Sequence, residues 1–84
     1  MKFKVEFVFK QEGLPYLFAR QVENGQFSVS ASSQLGGVPI QPSLSQPRAL
    51  KPDGSPDLDV FAFVLTERQD AERFSVGQIV ELVP

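Results

Sequence analysis

Side chains that could carry out a reaction are scarce in this chain of 84 residues, which contains no histidine and no cysteine. Histidine is the commonest acid–base group at neutral pH, and both residue types are principal ligands of transition metals. The densest acidic group contains Asp57 and Asp59, whose spacing would place both on one face of a strand. Such a pair can bind Ca²⁺ or Mg²⁺ or transfer protons, but aspartates near Gly54 are more typical of a turn. We therefore predict no catalytic residue, no metal site and no cofactor.

Hydroxyl groups that could act as nucleophiles form one cluster: Ser28, Ser30, Ser32 and Ser33. A serine nucleophile needs a base beside it; Lys10 and Lys51 are conceivable bases, but no motif places either one there. The sequence also lacks the glycine-rich phosphate loop of nucleotide hydrolases. We predict that the chain is not an enzyme and that these hydroxyls lie on the solvated face of a strand.

An aromatic and basic patch is the best indication of a binding surface. Tyr16, Phe18 and Arg20 alternate along a predicted strand, so their side chains share one face. Platforms that stack nucleic-acid bases combine exposed rings with a basic groove, whereas most phenylalanines of this chain have the phase expected for a core. The patch is therefore a candidate ligand surface of unspecified chemistry.

A proline-rich segment provides a second candidate surface. Residues 41–57 contain four prolines and no periodicity, which predicts a long extended loop with a tight turn at Asp53-Gly54. Pro39 and Pro42 match the PxxP spacing of polyproline ligands, although Pro39 also fits a strand at the edge of a sheet. We add these two prolines and Arg48 to the predicted binding surface, because loops on a rigid scaffold commonly carry binding.

The charge of the chain limits its partners. Eight basic and ten acidic residues give a net charge of −2, whereas nucleic-acid binding depends on lysine and arginine neutralising phosphates. The same balance disfavours attachment to anionic membranes. Charged and apolar residues alternate from Lys2 onward, unlike the continuous apolar stretch of a signal peptide. We expect a cytoplasmic chain with no membrane partner, whose partner is another protein.

Alternation of apolar and polar residues over 2–10, with Val8 as the exception, predicts a half-buried strand. Its apolar side chains are expected to face the core together: Phe3, Val5, Phe7 and Phe9. The lysines on the opposite face would discourage pairing between sheet edges.

The remaining alternation predicts an all-β fold. Residues 16–22 and 26–32 are predicted to form a hairpin, because Asn24-Gly25 tolerates the positive φ angles of a type I′ turn. Four further elements are predicted: strands at 38–40, 58–66 and 79–83 and a helical turn at 67–73. Both faces of 58–66 are apolar, which is typical of a central strand or a barrel. The chain is thus predicted to be a single domain, residues 1–84, folded as a small, mostly antiparallel β-barrel of six or seven strands.

Short runs at both ends of the chain form a known pattern. Val8-Phe9, Gly13 and the run 22–25 begin it, and the run 76–82 ends it, with Gln78 where aspartate is usual. These runs resemble the opening hairpin and the final turn and strand of the β-barrel that is domain 2 of translational GTPases of the elongation-factor-Tu type. The resemblance implies a stand-alone barrel without a GTPase domain. It implies a non-catalytic docking role or, as an alternative, an accessory of translation that contacts the ribosome or tRNA.

Overall fold

The computed structural model describes residues 1–9, 15–47 and 50–84. Within these ranges the chain forms six strands and one short 3₁₀ helix: β1 Lys2–Phe9, β2 Tyr16–Gln21, β3 Gln34–Leu35, β4 Val38–Ser45, β5 Val60–Leu65, the helix Arg68–Arg73 and β6 Ile79–Val83. The strands pair in the order β1-β2-β5-β4-β3-β6, and the sheet closes into a barrel because β6 pairs with β1. All the strand pairs are antiparallel. The predicted all-β barrel is confirmed, with six strands.

The core of the barrel is built around Phe3. Its side chain is fully buried, and its ring meets the rings of Phe27, Phe61 and Phe63 nearly edge-on, at centroid distances of 5.0, 6.3 and 5.1 Å. Edge-to-face pairs contribute about 0.5–1.5 kcal/mol each beyond the burial of their surface. Phenylalanine rings therefore form the centre of this small interior, and aliphatic side chains surround them.

A β-bulge at Glu6 reverses the alternation of β1 halfway along the strand. Val5 lies opposite Ala19 and Phe7 lies opposite Phe18, so β1 has one residue more than β2 between these two pairs. A bulge turns the side chains that follow it to the other face. Phe7 consequently points outward and is 59% exposed.

The prediction that Phe7 and Phe9 face the core was therefore wrong. Phe3 and Val5, which precede the bulge, are fully buried as predicted. Beyond the bulge it is Val8 that packs against the core. Alternation in a sequence predicts the wrong face wherever a strand contains an extra residue.

The predicted hairpin at Asn24-Gly25 was also wrong. Residues 22–33, all within the described part of the chain, form coil and turns, and β2 pairs with β1 and β5 instead. The two-residue hairpin turn is found between β3 and β4, where Gly36 and Gly37 both have positive φ, 60° and 78°. A Cβ atom on Gly36 would also lie 3.2 Å from Val80 Cγ1, so this tight turn requires glycine.

The proline-rich segment is shorter as a loop than predicted. Strand β4 continues through residues 41–45, which were predicted to belong to the loop. The predicted tight turn is present: the N–H of Lys51 donates to the carbonyl of Ser55 at 2.8 Å, and the N–H of Gly54 donates to the carbonyl of Lys51 at 2.9 Å. Pro39 lies inside the closed barrel wall opposite Gln34, so its predicted place at a sheet edge was wrong.

Candidate functional site

Four aromatic side chains cover part of the outer wall of the barrel, and we call them the aromatic face: Phe7, Phe9, Tyr16 and Phe18. Phe9 lies opposite Tyr16, and Phe7 lies opposite Phe18, across the β1–β2 pair. The rings of Phe9 and Tyr16 stack at a centroid distance of 4.4 Å with an interplanar angle of 15°. Phe18 contacts Phe9 at 4.9 Å and Phe7 at 6.3 Å. The four rings therefore form one continuous apolar surface.

The bulge at Glu6 is what creates this face. Tyr16 and Phe18 point outward because they alternate with Leu17 and Ala19, which are fully buried. The bulge turns the second half of β1 so that its phenylalanines join them. The apolar surface then continues onto β5, where Val64 lies opposite Tyr16 and Ala62 lies opposite Phe18.

Arg20 forms a clamp with two carboxylates at one end of the aromatic face. Its Nε donates to Glu6 Oε1 at 2.7 Å. Its two terminal nitrogens donate to the two oxygens of Asp57, Nη1 to Oδ1 at 3.1 Å and Nη2 to Oδ2 at 2.7 Å. This bidentate geometry is the strongest arrangement of an arginine with a carboxylate. The clamp holds the end of the proline-rich segment against the wall formed by β1 and β2.

The clamp shifts the titration of its members. Hydrogen bonds from Arg20 hold the pKa of the Asp57 carboxyl below its usual value, and the backbone N–H of Asp59 acts in the same direction. Burial opposes this shift, because it disfavours the charged form. The two carboxylates in turn raise the pKa of Arg20. Arg20 and Asp57 are therefore both charged at neutral pH.

A groove lies between the aromatic face and the proline-rich segment, with a volume of about 260 Å³. Its apolar wall and floor are formed by Phe7, Phe18, Pro47, Leu50 and Val60. The three members of the clamp form its charged end. Leu50 is 69% exposed although it lies beside these aromatic rings, so the groove presents apolar surface to solvent from both of its walls.

The structure brings together only part of the predicted binding surface. Tyr16, Phe18 and Arg20 lie side by side on β2, as expected from their alternation. Pro39 and Pro42 lie on β4 and do not line the groove. Arg48 lies outside the described residues. Whether any of these residues binds a ligand stays a prediction.

Sequence reasoning missed the residues that make the surface continuous. Phe7 and Phe9 were assigned to the core because the alternation of β1 was read without a bulge. Leu50 was placed in the loop 41–57, which was predicted to carry binding, but it was not named as a contact residue. The indication available in the sequence was Val8, the one apolar residue out of phase with its neighbours, which marks where the alternation changes.

The other predicted chemical groups are engaged in structural contacts. Asp57 is held by Arg20 rather than by a metal, and the part of the chain that the structure describes contains no cluster of three acidic residues that could hold a metal ion. The hydroxyl of Ser33 is buried and accepts a hydrogen bond from the N–H of Ser30 at 2.7 Å. Because the serines occupy coil and a turn, the prediction that they line a strand face was wrong.

A larger but separate cavity, of about 480 Å³, lies beside the first and last residues of the sequence. Met1, Phe27 and Leu82 contribute its apolar surface, and Gln26 and Ser28 its polar surface. The N-terminal amine donates to Glu81 Oε1 at 3.2 Å nearby. This cavity contains no charged side chain among its described lining residues, and the groove remains the better candidate site.

The only helix within the described ranges has six residues, and no helix there is long and apolar enough to cross a bilayer.

Searches of protein-family models, of curated proteins and of solved structures each returned no match to the chain.

Proposed function

We propose that the chain is a non-enzymatic docking module that binds another protein through the aromatic face and the adjoining groove. The observation that carries this proposal is the continuous apolar surface on the outside of a closed barrel. Contiguous exposed apolar patches on small proteins mark interaction sites, whereas isolated exposed apolar residues need no explanation. Phe7 and Leu50 are exposed on opposite sides of one groove, which is the arrangement of a contact surface.

The charge beside the aromatic face favours a protein over a nucleic acid. Stacking platforms for single-stranded nucleic acids pair their rings with basic side chains that neutralise phosphates. Among the described residues that line the groove, Arg20 is the only basic one, and it is already bonded to Glu6 and Asp57. One positive and two negative charges would repel a phosphate backbone.

The resemblance to domain 2 of translational GTPases belongs to this proposal as its family assignment. A closed, six-stranded antiparallel barrel is consistent with it. In that family the barrel is a docking domain, which agrees with a module that binds a partner in the cytoplasm. Contact with the ribosome or tRNA is the alternative, and ribonuclease treatment of the captured material distinguishes it from binding to a protein.

The proposal is tested by affinity capture with the tagged chain and with its Phe7→Ser variant, followed by mass spectrometry. Phe7 is largely exposed, so its replacement removes apolar contact surface while the core stays intact. The matched control is Val76→Ser, because Val76 is 68% exposed but lies outside the aromatic face. We expect a protein that the wild type and Val76→Ser retain, that Phe7→Ser loses, and that resists ribonuclease.

Two results would argue against the proposed docking function. Equal capture by Phe7→Ser and wild type would show that the aromatic face is not the docking surface. Recovery of ribosomal proteins that disappear after ribonuclease treatment would favour the translation-linked alternative.

A further inference from the structure

We infer that the groove takes an extended, proline-containing segment of a partner protein that also carries a lysine or arginine. This inference rests on the proposed function and names the chemistry of the partner. It follows from the size of the groove, from the lack of hydrogen-bonding groups along its apolar wall, and from the charges at its end.

The size of the groove fits side chains rather than a cofactor. Pockets for drug-sized ligands and cofactors usually measure about 300–1,000 Å³, and this groove measures about 260 Å³. It also lies open along the outer wall of the barrel, between β1 and β2 on one side and Pro47 and Leu50 on the other. An occupant of one or two residues, continuous with chain on either side, matches that shape.

The apolar wall favours proline in the occupant. Phe7, Phe18 and Leu50 present only carbon atoms, so a peptide N–H laid against them would have no acceptor and would lose its bonds to water. Proline has no N–H and already holds the extended conformation, which is why aromatic-lined grooves bind proline-rich segments. Binding by addition of a strand is unavailable at the wall formed by β2, because β2 pairs with β1 on one side and with β5 on the other.

The charged end favours a basic residue in the occupant. Arg20 uses Nε for Glu6 and both terminal nitrogens for Asp57, so the three groups together carry one net negative charge. Glu6 Oε2 accepts no hydrogen bond from the described residues, and the Glu6 side chain is 26% exposed. Lys51 attracts Asp57 only at longer range and does not line the groove. A lysine or arginine of the partner can therefore reach Glu6 from solvent.

Fluorescence anisotropy with labelled ten-residue peptides tests the inference. Each peptide has proline at every third position and one variable residue, which is lysine, glutamine or glutamate; a fourth peptide keeps lysine and replaces every proline with alanine. We expect the lysine peptide to bind about tenfold more tightly than the glutamate peptide, with the glutamine peptide between them. This ratio of dissociation constants corresponds to about 1.4 kcal/mol of binding free energy. The alanine peptide should bind at least several-fold more weakly.

Variants of the chain assign the binding to the groove. Phe7→Ser should weaken the lysine peptide at least about tenfold, as expected for an aromatic contact at the centre of an interface, while Val76→Ser should leave it unchanged. Glu6→Gln should reduce the preference for lysine over glutamate, because it removes the carboxylate that the lysine would reach. The variant should stay folded, since Asp57 still holds Arg20.

Three outcomes would overturn the inference: equal binding of the lysine and glutamate peptides, equal binding of the proline and alanine peptides, or tighter binding of a labelled oligouridine than of any peptide. A dimer in sedimentation that Phe7→Ser dissociates would also overturn it, since a second copy would then occupy the face.

If no peptide binds but Phe7→Ser still loses the captured partner, this inference fails and the proposed function stands. If Phe7→Ser captures that partner normally, the proposed function fails as well.

Discussion

At the scale of single residues, Arg20 connects three parts of the chain that are distant in sequence. It lies on β2, its partner Glu6 lies in the bulge of β1, and its partner Asp57 ends the proline-rich segment. Asp57 is only 6% exposed, and it takes its two shorter hydrogen bonds from the guanidinium and a longer one, of 3.3 Å, from the N–H of Asp59. A charged group that is removed from water and then loses its partner destabilises the fold.

We therefore expect Arg20→Met to lower the Tm by about 4–8 °C, the change usual for loss of one significant contact in a domain of this size. The variant keeps a long apolar side chain but removes the guanidinium from Asp57, which then keeps only the N–H of Asp59 as a donor. Lys4→Met is the matched control, because Lys4 lies opposite Arg20 on β1 and is exposed. Thermal denaturation followed by circular dichroism measures both, and equal Tm values for the two variants would contradict a structural role of the clamp.

The clamp also predicts how stability depends on pH. Because the pKa of Asp57 is lower in the folded chain than in the unfolded chain, its contribution is complete above the unfolded pKa, about 3.9, and disappears as pH falls through the folded value. Wild type should therefore exceed Asp57→Asn in stability at pH 7, and the difference should shrink below about pH 4. Urea denaturation at several pH values measures this, with Asp59→Asn as control. A difference that stays constant down to pH 2 would refute the assignment.

At the scale of elements, the bulge in β1 separates two phenylalanines that the sequence presents as equivalent. Phe3 is fully buried at the centre of the aromatic cluster, whereas Phe7 is 59% exposed. We expect Phe3→Ala to destabilise the protein by about 3–5 kcal/mol, the usual cost of emptying a phenylalanine site in a core. Phe7→Ala should cost less than about 1 kcal/mol, as at most surface sites. Chemical denaturation measures both, and similar losses would show that β1 alternates without a bulge.

The elements were predictable where one face is consistently apolar. β1 was located by period-two alternation, because half-buried strands impose it on the sequence, and β5 by a run that is apolar on both faces. The coil at residues 22–33 was not, since its serines and apolar residues also alternate without forming a strand. Phe27 and Val29 pack against the core from that coil, so alternation there reflects contact with the core rather than pairing.

At the scale of the whole molecule, closure of the barrel depends on strands from opposite ends of the chain. β6 pairs with β1 on one side and with β3 on the other. The fold class could be predicted from the number of short strands, but the pairing of β2 with β5 could not, because local patterns carry no information on distant partners. The groove could not be predicted for the same reason, because it joins β1 and β2 to Pro47, Leu50 and Asp57.

Closure predicts a strong difference between the two faces of β6. Val80 and Leu82 are buried, whereas Ile79 and Val83 are more than half exposed. Replacing both inner residues with serine should abolish the cooperative thermal transition, because each truncation in the core costs about 2–4 kcal/mol and native domains are stable by roughly 5–15 kcal/mol. Replacing both outer residues with serine is the matched control and should leave a cooperative transition. Calorimetry distinguishes these results, and an intact transition in the inner pair would contradict the closed barrel.

The shortest strand of the closed barrel is β3, which consists only of Gln34 and Leu35. β3 covers Val38 and Pro39 of β4 and Leu82 and Val83 of β6. Brief release of β3 would uncover both of these short edges at once and offer them to another chain. The two-residue strand thus shields these edges from strand exchange, and local unfolding at Gln34 and Leu35 would be the first step toward it.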